Sequence, residues 1–271
     1  MINIRDISNQ IEKKIRRVEK RFRLIISVLI LGAVMFASTF YFFDKAIIFI
    51  PLLFILSYIL TYFALLPGIE KVGWFTLFFM PVIITLSFYL FYFLFPSRWI
   101  TRMPFIIIYG ISMYAVLLCS NIFNVGVEKN LQLYRAAFSI NFFYQAVILF
   151  MIYNLLFSAK QGFLINMVVG GGIGFIAAIN LFWTIRLKKQ IERETVVFGL
   201  LVGLVVAELA LLVSFVPLKE AIISLFLTAS YYSLGGLIYN FIDQRLFKET
   251  IREYIIVWVF VLGITLLSIS W

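Results

Sequence analysis

Residues 196–216 read VVFGLLVGLVVAELALLVSFV, an apolar run of 21 residues that contains one charged side chain, Glu208. A helix needs about 20 apolar residues to cross the hydrocarbon core of a bilayer. Eight further windows reach or approach that length, so the sequence predicts an all-α polytopic bundle. The nine predicted transmembrane spans are 24–43, 46–66, 74–95, 104–123, 137–157, 163–183, 196–216, 221–241 and 254–271.

The composition of the whole chain agrees with this reading. Of the 271 residues, 63% are hydrophobic and 13% are charged, whereas a soluble domain carries about a quarter charged residues. These values exclude a soluble globular enzyme, a disordered chain and a disulfide scaffold. The predicted loops are too short to fold alone, so we expect a single transmembrane domain over 24–271. Asp44 and Lys45 are predicted to lie in a tight turn between the first two spans.

The residue types that are missing from the sequence also exclude many kinds of catalytic and metal-binding site. The chain has no His, which is the commonest general base and metal ligand in proteins. Its one Cys, Cys119, lies in an apolar run and cannot form an intrachain disulfide. No P-loop motif is present, and no pair of aspartates lies inside the apolar segments. We therefore expect a non-enzymatic protein with no cofactor and no metal site.

The distribution of basic residues predicts the orientation. With the N-terminus inside, 18 Lys and Arg residues fall on the inner side and 5 on the outer side. Cytoplasmic loops carry an excess of Lys and Arg, and this bias sets membrane orientation. We therefore predict a cytoplasmic N-terminus and an outer C-terminus.

The N-terminal tail, residues 1–23, has its own pattern. Apolar residues recur every three or four positions, and basic residues occupy the opposite face, which predicts a basic amphipathic helix. Its apolar residues are Ile4, Ile7, Ile11, Ile15, Val18 and Phe22. We expect this helix to lie on anionic lipid headgroups at the inner surface; the alternative is a docking helix for a partner protein. Nucleic acid is not an expected partner.

Glu208 is the one ionisable residue predicted near the bilayer centre. Its neighbours at three and four positions, Leu204, Val205, Leu211 and Leu212, are all apolar. An intramembrane acid is a functional-site hypothesis by default, and the alternative is a neutral side chain that links two helices by a hydrogen bond. Helix rise predicts other polar residues at the same depth. This predicted layer contains Ser112, Tyr114, Gln145, Glu208, Ser230, Tyr231, Tyr232 and Ser233.

The sixth predicted span holds a run of glycines at this depth. Residues 170–174 include Gly170, Gly171, Gly172 and Gly174. In membranes such small residues allow two helix backbones to approach closely; the alternative is an unwound segment that exposes carbonyl groups to a solute. Gly235 and Gly236, in the eighth span, are the suggested contact for this run.

A polar cluster marks the inner ends of the fourth and fifth spans. Most of its members are expected to be solvated loop and cap residues. Arg135, with Lys129, is the candidate contact for lipid headgroups, because a guanidinium matches the geometry of phosphate. The cluster contains Asn121, Asn124, Glu128, Lys129, Gln132, Arg135 and Asn141.

The same region carries a family resemblance. Residues 121–125, NIFNV, and residues 131–137, LQLYRAA, resemble a segment of an uncharacterised family of bacterial multi-pass membrane proteins. The resemblance covers fewer than twenty residues. It implies a location in the bacterial inner membrane, and it implies no activity.

Three functional hypotheses follow from these features. The first is a scaffold or subunit of a membrane assembly, whose partners are lipids and another membrane protein or a second copy. The second is a small transporter or channel-like protein that uses Glu208 beside residues 170–174. The third is a lipid-acting enzyme at the inner face, with Glu128 and Arg135, or Asp243 and Arg245, as its polar residues.

Overall fold

The computed structural model describes residues 19–40, 46–66, 73–95, 98–125 and 131–269. These residues form nine helices and no strand, and each helix is long and apolar enough to cross a membrane. The predicted fold class is therefore confirmed. In chain order the helices are α1 (Lys20–Ser38), α2 (Ala46–Leu65), α3 (Trp74–Tyr92), α4 (Trp99–Val125), α5 (Leu131–Ser158), α6 (Phe163–Arg186), α7 (Arg193–Val213), α8 (Glu220–Ile242) and α9 (Lys248–Leu267).

Several helices differ from the predicted spans at their ends. The fourth begins at Trp99 instead of 104, the fifth at Leu131 instead of 137, and the ninth at Lys248 instead of 254. Hydropathy marks only the apolar part of a helix, whereas the hydrogen-bonded backbone continues through polar residues. At 1.5 Å per residue, the 27 residues of α4 extend about 40 Å, which exceeds a hydrocarbon core of about 30 Å. The predicted spans were therefore too short, because they left out the polar residues at the start of these helices.

The chain contains two compact units that divide between Asn141 and Phe142, within α5. The single transmembrane domain over 24–271 stays a prediction; it rests on the short loops, and loop lengths do not show which helices pack together. The tail helix predicted for 1–23 lies outside the described residues up to residue 18, and so do the turn at Asp44 and Lys45 and the final residues 270–271.

In the first unit, α1 and α2 pack as antiparallel neighbours. The Ser27 hydroxyl donates a hydrogen bond to the Leu60 carbonyl at 3.1 Å. The Arg23 guanidinium is buried and donates to the carbonyl of Leu66. Asn124, from α4, donates to the Leu65 carbonyl at 3.4 Å. The last carbonyls of α2, which have no partner within their own helix, thus receive donors from two other helices.

In the second unit, α6 and α7 form the closest pair, and α9 packs on α8. Among the residues that make α9 a candidate span, only 11% are buried, compared with 61% for α8. The exposed faces of this unit are lined by large apolar side chains, as expected for surfaces that meet lipid or other membrane helices.

Candidate functional site

The glycine run makes a very close contact with α7 in the second unit. A Cβ on Gly171 would lie 2.5 Å from the Cβ of Ala207 and 2.9 Å from the carbonyl oxygen of Gly203. Reciprocally, a Cβ on Gly203 would lie 2.7 Å from the Cβ of Phe175. Real Cβ atoms do not approach so closely, so only glycine fits at these two positions. The run therefore brings α6 and α7 into backbone contact.

The alternative of an unwound segment is not what the structure has, because α6 is helical from Phe163 to Arg186 without a break. The suggested pairing with Gly235 and Gly236 is wrong. Gly235 lies against Leu181, and Gly236 lies against Tyr254. The partners of the run are small residues of α7. Hydropathy alone gave no reason to prefer them to the small residues of other spans.

The other glycines of the run have different surroundings. Gly174 faces Val206 of α7 and the hydroxyl of Tyr153, each 3.3 Å from the place of a Cβ. That hydroxyl donates a hydrogen bond to the Gly170 carbonyl at 3.4 Å. A Cβ on Gly172, in contrast, would meet no atom within 4 Å. The run thus has one crowded face and one open position.

Gln145 links α5 to α6. Its side chain is 1% exposed, and its Nε2 donates to the carbonyl of Ala177 at 2.8 Å. Its Oε1 has no hydrogen-bond partner among the described residues. Tyr231 is also fully buried, and its hydroxyl likewise has no hydrogen-bond partner within the described ranges. Both side chains face the interior of the second unit.

Ser230 and Ser233 form a polar seam between α8 and α9. Trp258 Nε1 donates to the Ser230 hydroxyl at 3.0 Å, which itself donates to the Phe226 carbonyl at 2.8 Å. The Ser233 hydroxyl donates to the Tyr254 carbonyl at 3.1 Å. Because these groups satisfy one another, the seam has little polar capacity left for a ligand.

A groove of about 270 Å³ lies beside this seam. Its walls come from α7, α8 and α9 and are apolar except for the two serines and the polar edges of Tyr254 and Trp258. The lining residues are Val205, Leu209, Ser230, Ser233, Leu234, Leu237, Tyr254, Ile255 and Trp258. Glu208 precedes Leu209 in sequence but does not line the groove.

Glu208 instead lies on the exposed face of α7. Around it on that face are Leu201, Leu204 and Leu212, which are 42%, 56% and 61% exposed. Two members of the predicted layer, Ser112 and Tyr114, belong to α4 in the first unit. Of the other six, Gln145 and Tyr231 are in the interior of the second unit, Ser230 and Ser233 are in the α8–α9 seam, Tyr232 stacks on Phe142, and Glu208 is on the exposed face of α7. Equal depth did not bring these residues together.

The structure describes one of the two residues predicted to contact lipid headgroups at the inner face. Arg135 is exposed at the start of α5, and Lys129 lies outside the described residues. Asp243, at the end of α8, forms an ion pair with Arg245 at 3.2 Å between Oδ2 and Nη1. Within the described ranges no group of three or more Cys, Asp or Glu side chains is arranged to hold a metal ion.

The connection between α6 and α7 carries a local network of charges. Arg186 forms ion pairs with Glu192 and, at 3.0 Å, with Glu194. Lys188 also forms an ion pair with Glu192. The hydrogen bond from Lys188 lowers the pKa of Glu192 below its usual value, and the nearby positive charge of Arg186 adds to the effect. These side chains are exposed or partly exposed, and the network joins the end of α6 to the start of α7.

Sequence reasoning missed Tyr153 and Trp258, which both supply interhelical hydrogen bonds. The signal of Trp258 was hidden by the span boundary, because it is the fifth residue of the predicted span 254–271, where an indole can lie at the headgroups. In the observed α9 it lies mid-helix, where an indole must find a hydrogen-bond acceptor inside the protein. Tyr153 has no comparable signal, since its acceptor is a backbone carbonyl.

Comparisons with protein-family models, with curated proteins and with solved structures found no match.

Proposed function

We propose that this chain is a non-enzymatic integral membrane protein that serves as a scaffold or subunit of a membrane assembly. The observation that carries the proposal is the outward position of Glu208 on α7. Ionisable residues within membrane spans almost always face the interior of a bundle or a water-filled cavity. A carboxyl group on the outer face of the second unit therefore favours a bundle that another polypeptide completes.

The transporter hypothesis has less support. It joined Glu208 to the glycine run as two parts of one solute site. Glu208 faces outward, whereas Gly171 faces α7 and is covered by Ala207. The unbroken α6 also offers no free carbonyl groups of the kind that broken transporter helices present to ions.

We place the protein in the cytoplasmic membrane of a bacterium, with the N-terminus in the cytoplasm. The proposal is supported by the 18 basic residues on the predicted inner side and by the family resemblance of residues 121–137. Such a surface attracts anionic headgroups, which are the lipid partners that we expect at Arg135, Lys129 and the N-terminal tail.

The test is extraction of the full chain from its own membranes into polymer-bounded nanodiscs, followed by measurement of particle mass. We expect particles that contain more than one polypeptide. Glu208→Leu should shift them toward a single chain, whereas Ile176→Leu, at an exposed position of α6, should not. A wild-type protein that is always alone in its disc would overturn the proposal.

A flux measurement in proteoliposomes provides the second arm. A proton-coupled or solute flux that wild-type protein supports and Glu208→Gln abolishes would favour the transporter hypothesis instead. We expect no flux that depends on this carboxyl group.

A further inference from the structure

The exposed face of α7 has the spacing of a helix-pairing seam. Val197, Leu201, Leu204 and Glu208 follow one another at intervals of four, three and four residues, and Leu211 and Leu212 continue the face. The first four are exposed and Leu211 is partly exposed. This interval pattern is that of the a and d positions of a left-handed coiled coil, and most membrane helix pairs cross with the same hand. The face therefore matches a second helix running alongside it.

The opposite face of α7 excludes the other common packing mode. Close right-handed pairs need small residues at the contact. On α7 the small residues Gly199, Gly203, Ala207 and Ala210 are buried, and they lie against α6. A further helix would therefore contact the large exposed side chains of α7, which suit a left-handed helix pair.

The chemistry of Glu208 selects the partner. A neutral carboxylic acid has one donor and an acceptor, so two of them can hydrogen-bond to each other. Copies of one chain insert in the membrane with the same orientation, and a twofold axis along the membrane normal places identical residues at identical depth. A second copy therefore brings a matching carboxyl group to Glu208 with no further requirement. A different protein would need a donor placed independently at that depth.

We propose that two copies of this chain pair through the exposed face of α7, with the two Glu208 carboxyl groups hydrogen-bonded across the twofold axis. This inference rests on the proposed role as a subunit of an assembly, and it identifies a second copy of the chain as the partner. In coiled coils a single polar residue at a seam position sets the register and the number of chains. Glu208 takes that role here.

The experiment is cysteine cross-linking in native membranes with two differently tagged copies expressed together. The background is Cys119→Ala, which removes the one native thiol, a buried one. Leu201→Cys and Leu204→Cys place a thiol on the seam. Ile176→Cys is the matched control, because Ile176 is 50% exposed and follows Phe175, which lies against Gly203 at the same depth. We expect mixed-tag dimers from both seam positions and background yield from the control.

Substitutions of Glu208 then test its chemistry. Glu208→Gln should retain dimers within about twofold, since a carboxamide also pairs with itself. Glu208→Leu should lower the association constant about tenfold, in line with the loss of an interhelical polar contact in lipid. Glu208→Lys should abolish pairing between two variant copies, because two ammonium groups have no acceptor, and should allow pairing with a wild-type copy, whose carboxyl group accepts the hydrogen bond. Gel filtration in detergent checks that each variant folds.

Equal cross-linking from Leu204→Cys and Ile176→Cys would overturn the inference, and so would unchanged pairing in Glu208→Leu. Cross-links from the seam to a different protein, with none between copies, would also overturn it but would leave the proposed function standing. A wild-type chain that is alone in its nanodisc and gives no seam cross-link would remove both proposals.

Discussion

The two faces of α7 follow different rules. The face toward α6 carries Gly203 and Ala207. There the backbones of α6 and α7 approach so closely that a methyl group added at Gly203 or Gly171 has no room. The opposite face carries Leu201 and Leu204, which are exposed, and Glu208 between apolar neighbours. The first face selects its partner by close packing, and α6 already covers it. The second face can select a partner through the hydrogen bonds of Glu208, and it is exposed.

A membrane helix can thus use one face for folding and the other for association. Without a hydrophobic force between helices in lipid, close packing and interhelical hydrogen bonds are what hold helices together. Close packing holds α7 inside the second unit, where its loss would damage the fold. The hydrogen-bonding group is on the outside, where its loss would affect a partner. Substitutions on the two faces should therefore have different consequences.

The largest effect is expected at Gly171. Gly171→Ala places a methyl group against Ala207 and the Gly203 carbonyl, so α6 and α7 must move apart. Overpacking of this kind costs about 1–3 kcal/mol, which would be measured as a lower free energy of unfolding in bicelles.

Gly172→Ala is the matched control for that substitution. It adds the same methyl group one residue away, where nothing lies within 4 Å. It should leave stability unchanged or raise it by up to about 1 kcal/mol, because alanine favours the helix. Equal losses from the two substitutions would show that contact with α7 does not explain the effect, because the methyl group at position 172 meets no atom of α7.

The contact between the glycine run and α7 shows which features could be predicted from the sequence and which could not. The spans were predictable because a bilayer imposes a length of about 20 residues, and the glycine run predicted close packing. Its partner was not predictable. Gly199, Gly203, Gly235 and Gly236 are all small residues in apolar spans, and only the three-dimensional arrangement selects those of α7.

Glu208 illustrates a second limit. Its depth followed from the helix rise, but its direction did not, because Leu204, Val205, Leu211 and Leu212 surround it on every side with similar hydropathy. A helix that is apolar all round gives no signal of which face is inside. Gln145 shares this limit, since its acceptor is the backbone carbonyl of Ala177, a group that every residue has.

An intermediate effect is expected at Gln145, which links α5 to α6. Gln145→Met keeps the side-chain length but removes the donor to the Ala177 carbonyl. An interhelical hydrogen bond in a membrane contributes about 1 kcal/mol, so the free energy of unfolding should fall by about that amount.

Ser139→Ala, on the same helix, is the control for this measurement. The Ser139 hydroxyl donates to the Arg135 carbonyl of its own helix, so its loss breaks no link between helices and should change stability by less than about 0.5 kcal/mol. A Gln145→Met protein as stable as Ser139→Ala would show that shape alone holds α5 to α6.

The smallest effect is expected in the connection between α6 and α7. The hydrogen bond from Lys188 holds the pKa of Glu192 below its ordinary value of 4.5, so Lys188→Ala should raise that pKa toward 4.5. A carboxyl group whose pKa is lowered by folding stabilises the protein above its unfolded pKa, and this contribution is lost as the pH falls through the folded pKa. Wild type and Lys188→Ala should therefore differ in melting temperature near neutral pH and converge below the folded pKa.

Carbon-13 NMR of the Glu192 carboxyl group measures the pKa directly, and Lys189→Ala is its control. That substitution changes the net charge equally but leaves the ion pairs of Lys188 and Arg186 with Glu192 in place. An equal rise of the pKa in both variants would assign the effect to general charge instead of the Lys188 contact. Because these groups are exposed and screened by water and salt, even a clear rise of the pKa should change melting temperature far less than Gly171→Ala. Such a result would place the cohesion of α6 and α7 in the glycine contact and not in the charged connection.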